Sequence, residues 1–232
     1  MRKIKRKDKE SADDSPPSPP MPHDPANALR LGPSLADARG VLLLLHGRGS
    51  SADDIARLAD IIDLPAGVTC LAPQATGHSW YPQRFLVPPA QNEPWLSSAL
   101  ATIDTLVREA LAAGIPAERI ALAGFSQGAC LALEYAARNP RRHAFVAALS
   151  GALIGPIDTI RDCGDLRRTP ILVACADRDA HIPIEHVEHS AAALATLNAD
   201  VTKQVFPGSA HTVFPAEIDW LKNHVHRLLA AD

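Results

Sequence analysis

Gly124-Phe125-Ser126-Gln127-Gly128 sets a serine between two glycines, where an apolar run, Ile120–Gly124, gives way to an apolar helical stretch reaching about Arg138. A serine hydroxyl is a weak nucleophile until a neighbouring base takes its proton. A sharp strand-to-helix turn lifts the hydroxyl clear of the sheet, and flanking glycines remove side chains that would strike the adjoining strand and helix. About 0.04 copies of the bare pattern are expected by chance from this composition. A glycine-flanked serine that merely caps a helix would read the same way, so the partners must decide. The start of the following helix favours negative charge, which places the Gln127 N–H to donate to an oxyanion. In His46-Gly47-Arg48-Gly49, after the apolar run Val41–Leu45, two glycines let backbone approach closely, and the Arg48 N–H becomes the second donor. His46 precedes that loop and reads as structural.

Ten histidines compete for the base. His186 and His189 fall on one helical pattern and His224 and His226 on the last, where solvated surface is the expectation. His143 ends a helix beside Arg141 and Arg142, His23 lies in an N-terminal tail, and His78 sits in a long connection. His211 differs, because it follows a strand, Val201–Phe206, through Pro207-Gly208-Ser209-Ala210 and precedes the final helix. A loop there delivers an imidazole to the carboxyl edge of a parallel sheet. For the acid, the strand Ile171–Ala176 runs into Asp177-Arg178-Asp179, and either carboxylate could hold the imidazole from a strand end. The order nucleophile, acid, base is that of the α/β-hydrolases, not of the chymotrypsin or subtilisin types.

These residues need elements to carry them. Val41–Leu45, Val68–Ala72, Ile120–Gly124, Phe145–Leu149, Ile171–Ala176 and Val201–Phe206 read as strands. Helical spacing covers Asp53–Ile62, with Ser51 as N-cap, Leu96–Leu111 closed by Gly114, Ile184–Leu197 and Pro215–Leu229. Continuous apolar strands alternating with amphipathic helices predict a doubly wound α/β fold, its mostly parallel sheet covered on both faces. About 20 residues separate the strands ending at Leu149 and starting at Ile171, too few for a separate lid domain.

Residues 1–25 differ in kind. Charged residues dominate to Asp14, and SPPSPPMPHDP then supplies six prolines in eleven positions, which predicts a disordered or polyproline-like tail before a domain spanning 26–232. Met21 offers an alternative start. No apolar segment follows the basic MRKIKRKDKE, so no secretory signal is expected. The net charge of −3 gives no global reason to expect a nucleic-acid partner, and no apolar stretch suits stable membrane insertion. Cys70, Cys130, Cys163 and Cys175 show no metal spacing, HExxH is absent, and a reduced, cytoplasmic setting is expected.

HGRG, GFSQG, ADRDAHIP and GSAH, in that order, resemble the phospholipase/carboxylesterase family of α/β-hydrolases, which includes acyl-protein thioesterases and small bacterial carboxylesterases. The resemblance covers about residues 38 to 230. It implies a cofactor-free serine esterase acting through an acyl-enzyme, with Ser126 as nucleophile and His211 as base. It also selects Asp179, four residues before Pro183, over Asp177. Ala176 and Ala180 depart from the family's usual residues, and Arg48 is large and charged for its place. An Arg48 side chain facing the cleft would favour an anionic substrate; one facing solvent would not. The long connection from Pro73 to Trp95 resembles the bacterial branch through APQA, SWYPQRF and QNEPW. It holds Trp80, Tyr81, Phe85 and Trp95, four of the chain's ten aromatics. They either pin the loop or line an acyl or aryl pocket, for which Trp80 and Tyr81 are the candidates. The expected partner is an ester or thioester, small or carried on a larger acyl carrier, lysophospholipid included. Oligomeric state is left open, a homodimer included.

Overall fold

The structure, a computed structural model, describes residues 21–159, 161 and 164–229. Its strands are β1 (Leu29–Leu31), β2 (Gly40–Leu45), β3 (Val68–Ala72), β4 (Ile120–Phe125), β5 (Val146–Leu149), β6 (Pro170–Ala176) and β7 (Asp200–Phe206). They form one sheet in the order β1-β3-β2-β4-β5-β6-β7. β1 runs antiparallel to β3, and the other neighbours are parallel. The helices are α1 (Ala52–Ile61), α2 (Trp95–Ala112), α3 (Gln127–Arg138), α4 (Ile184–Thr196) and α5 (Pro215–Val225).

The unbroken apolar runs have a direct cause. Val41, Leu43 and Leu45 of β2 point into one core, shared with α2, α3 and α4, while Leu42 and Leu44 point into the other, under α1 and α5. With both faces covered, no strand position in the middle of the sheet is left for a polar residue. This is an α/β-hydrolase-like fold. From β2 the chain steps outward to β3, then returns across β2 to β4 and proceeds the other way. That reversal opens a crevice at the carboxyl ends of β2 and β4, where doubly wound sheets bind ligands. Leu45 pairs with Gly124 at that edge, so the loops after both strands emerge side by side.

Several expectations are corrected. β1 is not among the expected strands; at three residues, Leu29-Arg30-Leu31, it is too short for an alternating pattern to stand out. The closing helix stops at Val225 and tightens into a 3-10 turn over His226–Leu228. Of the expected tail, residues 1–20 lie outside the described residues, as does Cys163. Residues 21–25 belong to the folded unit instead. His23 is buried: its N–H donates to Ser98 Oγ, its Nε2 lies 2.8 Å from the Trp80 carbonyl oxygen, and its Nδ1 accepts from the Thr76 N–H. Proline content concealed a segment held by one imidazole. His224 is half-buried and stacked on Trp220, with ring centroids 3.7 Å apart, rather than solvated. Among the described residues no helix is long and apolar enough to cross a membrane.

His143 lies beyond the end of α3 and is fully buried, and among the described residues neither ring nitrogen has a side-chain partner. Burial, reinforced by the nearby Arg141 charge, brings its pKa down from 6.5 to about 4. Below pH 6.5 the unfolded chain therefore binds a proton that the folded chain refuses. The stability tied to this neutral imidazole is complete above that pH and drains away as pH falls toward 4. Urea unfolding at pH 7 and pH 5 should show wild type losing about 2 kcal/mol relative to His143→Leu. An unchanged difference between the two proteins would contradict this assignment.

Candidate active site

Ser126 sits between the last residue of β4 and the first of α3 with φ 54° and ψ −115°, a left-handed conformation that a side chain rarely adopts. Its surroundings impose it. The Ser126 N–H donates to the Leu149 carbonyl at 2.9 Å, tying the turn to the neighbouring strand β5. A Cβ on Gly124 would stand 2.4 Å from the Gly128 carbonyl, and one on Gly128 would stand 2.1 Å from the Leu45 carbonyl oxygen. Both contacts are with backbone and cannot relax cheaply, so the two glycines are what allow α3 to start against β2 and β4.

The imidazole of His211 spans the gap between serine and acid. Its Nε2 lies 2.8 Å from Ser126 Oγ and its Nδ1 2.7 Å from Asp179 Oδ2. The Asp179 side chain is buried, and its other oxygen accepts from the His181 and Ile182 N–H groups at 2.7 and 3.2 Å. Burial pushes this carboxyl up, but the hydrogen bonds from His211 and the two amides prevail and hold it below its ordinary range. Asp177 stands apart. Its Oδ1 accepts from the Gly208 N–H at 2.8 Å, so it fastens the loop that carries His211 rather than the imidazole. Ser150 Oγ donates to the Thr212 carbonyl, and Glu217 Oε2 accepts from the Phe214 N–H at 2.6 Å. Glu217 is buried, and burial lifts its carboxyl to about 7 against the opposing pull of the Phe214 and Ser150 amides.

Arg48 and Gln127 border the same cleft as Ser126 and His211, a hollow of about 520 Å³. Among the described residues neither backbone N–H donates to a backbone carbonyl. Their side chains do something else. The Arg48 guanidinium donates to the carbonyls of Tyr81, Pro82 and Gln83 at 2.6–2.9 Å. The residue is exposed at the rim of the cleft, and its guanidinium is engaged by that backbone. The Gln127 amide accepts from the Trp80 N–H at 2.9 Å and donates to the Tyr81 carbonyl at 2.8 Å. Together they clamp the long connection over the nucleophile.

Trp80 is the pocket candidate that the structure moves. Its indole is fully buried, stacks near His46 and donates to the His46 carbonyl at 2.9 Å, so it is core and not cleft wall. Of the two readings open for the aromatics of this connection, Trp80 takes the one in which it pins the loop, buried with its one polar atom satisfied. Tyr81 does border the cleft, together with Phe85, Phe125 and Ile182. Phe85 and Phe125 had a signal in the sequence, one inside the aromatic-rich connection and the other beside the nucleophile. His46 is structural as expected: its Nε2 accepts from the Ala75 N–H. His181, whose ring is 4.7 Å from that of His211, went unnoticed because the motif drew attention to the acid.

The geometry has counterparts among known proteins. A family model described as phospholipase/carboxylesterase matches residues 33–229. A solved phospholipase/carboxylesterase from Dyadobacter fermentans is 40% identical with a TM-score of 0.81, over 86% of this chain and 95% of that one. An acyl-protein thioesterase 1 of Kluyveromyces lactis is 29% identical over 181 residues, 70% of this chain and 79% of that protein. A Gibberella zeae protein of the same name is 28% identical over 127 residues, and there the chain spans about half of the relative, 54%. A match over most of the chain, on a sheet that presents a serine, a histidine and an aspartate in hydrogen-bonded sequence, means that this chain belongs to the phospholipase/carboxylesterase family.

Proposed function

We propose that the chain is a serine hydrolase that cleaves carboxylic esters or thioesters through an acyl-enzyme. The observation that carries this reading is the unbroken line from Ser126 through His211 to Asp179, at 2.8 and 2.7 Å, opening into a cleft. Asp179 holds the tautomer in which Nδ1 bears the proton, leaving Nε2 free to take one from Ser126. Oγ then bonds to the acyl carbon, and the carbonyl oxygen gathers negative charge facing the Arg48 and Gln127 amides. The bond to the alcohol or thiol breaks as His211 returns the proton to it. Water, deprotonated by the same imidazole, attacks the acyl-serine, releases the acid and restores the hydroxyl.

The cleft walls of Tyr81, Phe85 and Ile182 support an apolar acyl group, and relatives named acyl-protein thioesterase support including thioesters. A non-catalytic binding role draws no support, because such proteins lose a triad member and none is displaced here. Three buried thiols, Cys70, Cys130 and Cys175, fit a reducing cytoplasmic setting; burial pushes the first two up to about 12.

Ser126→Ala should cut turnover of short-chain esters by several orders of magnitude while leaving unfolding unchanged. Near-normal turnover would defeat the proposal. Asp179→Asn should cost far more kcat than Asp177→Asn, since only the first removes the partner of the imidazole; parity between them would reverse the assignment. Arg48→Ala keeps the backbone donor but frees residues 81–83. Its expected signature is a raised KM and faster limited proteolysis in that segment, with kcat falling less than tenfold. A collapse of kcat at unchanged KM would mean that the guanidinium itself serves the chemistry.

A further inference from the structure

A second apolar hollow opens at this end of the sheet, on the other side of Phe125. Between α1 and the start of α5 lies a groove of about 290 Å³. Ile55, Leu58 and Ile61 of α1 form one wall, Val213 and Ile218 the other, and Phe125 closes the inner end. It adjoins the reaction centre, since Gly47, Ser50 and Phe125 border both the groove and the cleft. Each wall adjoins catalytic chain: Gly47 precedes Arg48, Phe125 precedes Ser126, and Val213 is two residues from His211. The Phe125 ring stands 5.0 Å from the imidazole.

The polar residues of the groove lie at its rim and engage one another: Ser50 Oγ donates to Asp54 Oδ2 at 3.1 Å, and the exposed Arg57 lies 3.8 Å from Asp54. Inside that rim the walls are hydrocarbon. At the outer end Ile61 is 53% exposed. A single exposed isoleucine needs no explanation, but this one prolongs a wall that begins at the nucleophile.

An ester has two arms diverging from the carbon that Ser126 attacks. The acyl arm stays on the serine until water arrives, whereas the other arm takes the proton from His211 and departs. The larger cleft, roofed by the clamped Tyr81–Gln83 segment, suits the arm that stays. The smaller groove shares a wall with the loop of the base and opens outward at Ile61, which suits the arm that leaves. We infer that the groove between α1 and α5 is a leaving-group subsite for the apolar alkyl or aryl part of the alcohol or thiol. The inference rests on Ser126 and His211 acting as proposed above.

All substrates that share an acyl group pass through one acyl-enzyme, so a leaving-group subsite acts on acylation and is read in kcat/KM. Two ester series separate the arms. Acetates of methanol through hexanol lengthen only the leaving arm; methyl esters of acetic through hexanoic acid lengthen only the acyl arm. In the wild type, kcat/KM along the acetates should rise by up to about fourfold per methylene until the groove is filled. Ile61→Glu places a charge at the exposed end with little demand on folding, and Ile55→Trp fills the groove from its wall. Both should flatten the acetate series and leave the methyl-ester series at wild-type slope, with circular dichroism confirming the fold. Equal losses in the two series, or an acetate slope unchanged in both variants, would overturn the subsite. Esterase activity that is the same in wild type and Ser126→Ala would instead overturn the serine mechanism, and the subsite with it.

Discussion

A Cβ on Gly128 would lie 2.1 Å from the Leu45 carbonyl oxygen, so the first turn of α3 packs directly on the end of β2 with no side chain between them. Several features of the cleft follow from that approach. It brings the loop after β2, which carries Arg48, close against the start of α3, which carries Gln127. It also fixes the turn that puts Ser126 at φ 54°, a conformation costing about 1–3 kcal/mol that only an over-determined setting sustains. The Leu149 carbonyl, accepting from the Ser126 N–H, supplies the restraint from the opposite side. The nucleophile is thus held by backbone packing between three strands, and its geometry does not depend on any flexible side chain.

Arg48 and Gln127 each divide their labour between backbone and side chain. Their backbone N–H groups are the proposed oxyanion donors, while their side chains bind the carbonyls and N–H groups of residues 80–83. The Tyr81 carbonyl accepts from Arg48, Gln127 and the Ser79 hydroxyl together, which leaves that segment little freedom to move independently of the site. A long connection without regular structure is normally mobile. Here its nearest part is stitched to the very residues whose amides it overlies. On the far side, the buried His23 extends the stitching to Trp80 and Thr76.

The legible part of this protein was its chemistry and its buried sheet. A nucleophile turn demands glycines at fixed offsets, and a strand covered on both faces must be apolar throughout, so GFSQG and Val41–Leu45 could be read directly. β1 could not, because its pairing with β3 uses backbone groups that every residue carries. Trp80 and Arg48 show another limit. Composition reveals that an aromatic or a guanidinium needs a partner, but not which side of a loop holds it. The buried Trp80 and the clamping Arg48 are decided by the path of residues 73–95, which has no periodicity to read. His23 illustrates the same point at the domain edge, where the proline-rich composition points to a tail but residues 21–25 are held to the domain through one buried imidazole.

His211 is held on a different principle from Ser126. His211 rides on a loop at the end of β7, the outermost strand, where no close-packed neighbour can fix it from both sides. Polar tethers take over that role: Asp177 grips Gly208 before the histidine, Ser150 grips Thr212 just after it, and Glu217 grips Phe214 at the head of α5. Phe214 stacked on Phe206, with centroids 4.1 Å apart, closes the loop across its base. Ser150 directly follows Leu149, whose carbonyl restrains Ser126, so the end of β5 is the common reference for nucleophile and base. The Ser126–His211 distance is then set through a few residues of one buried strand rather than across the width of the sheet. In the acyl transfer proposed for this site, the imidazole must serve serine and leaving group in turn while the serine stays still, and tethers on a loop against packing in a sheet suit that asymmetry.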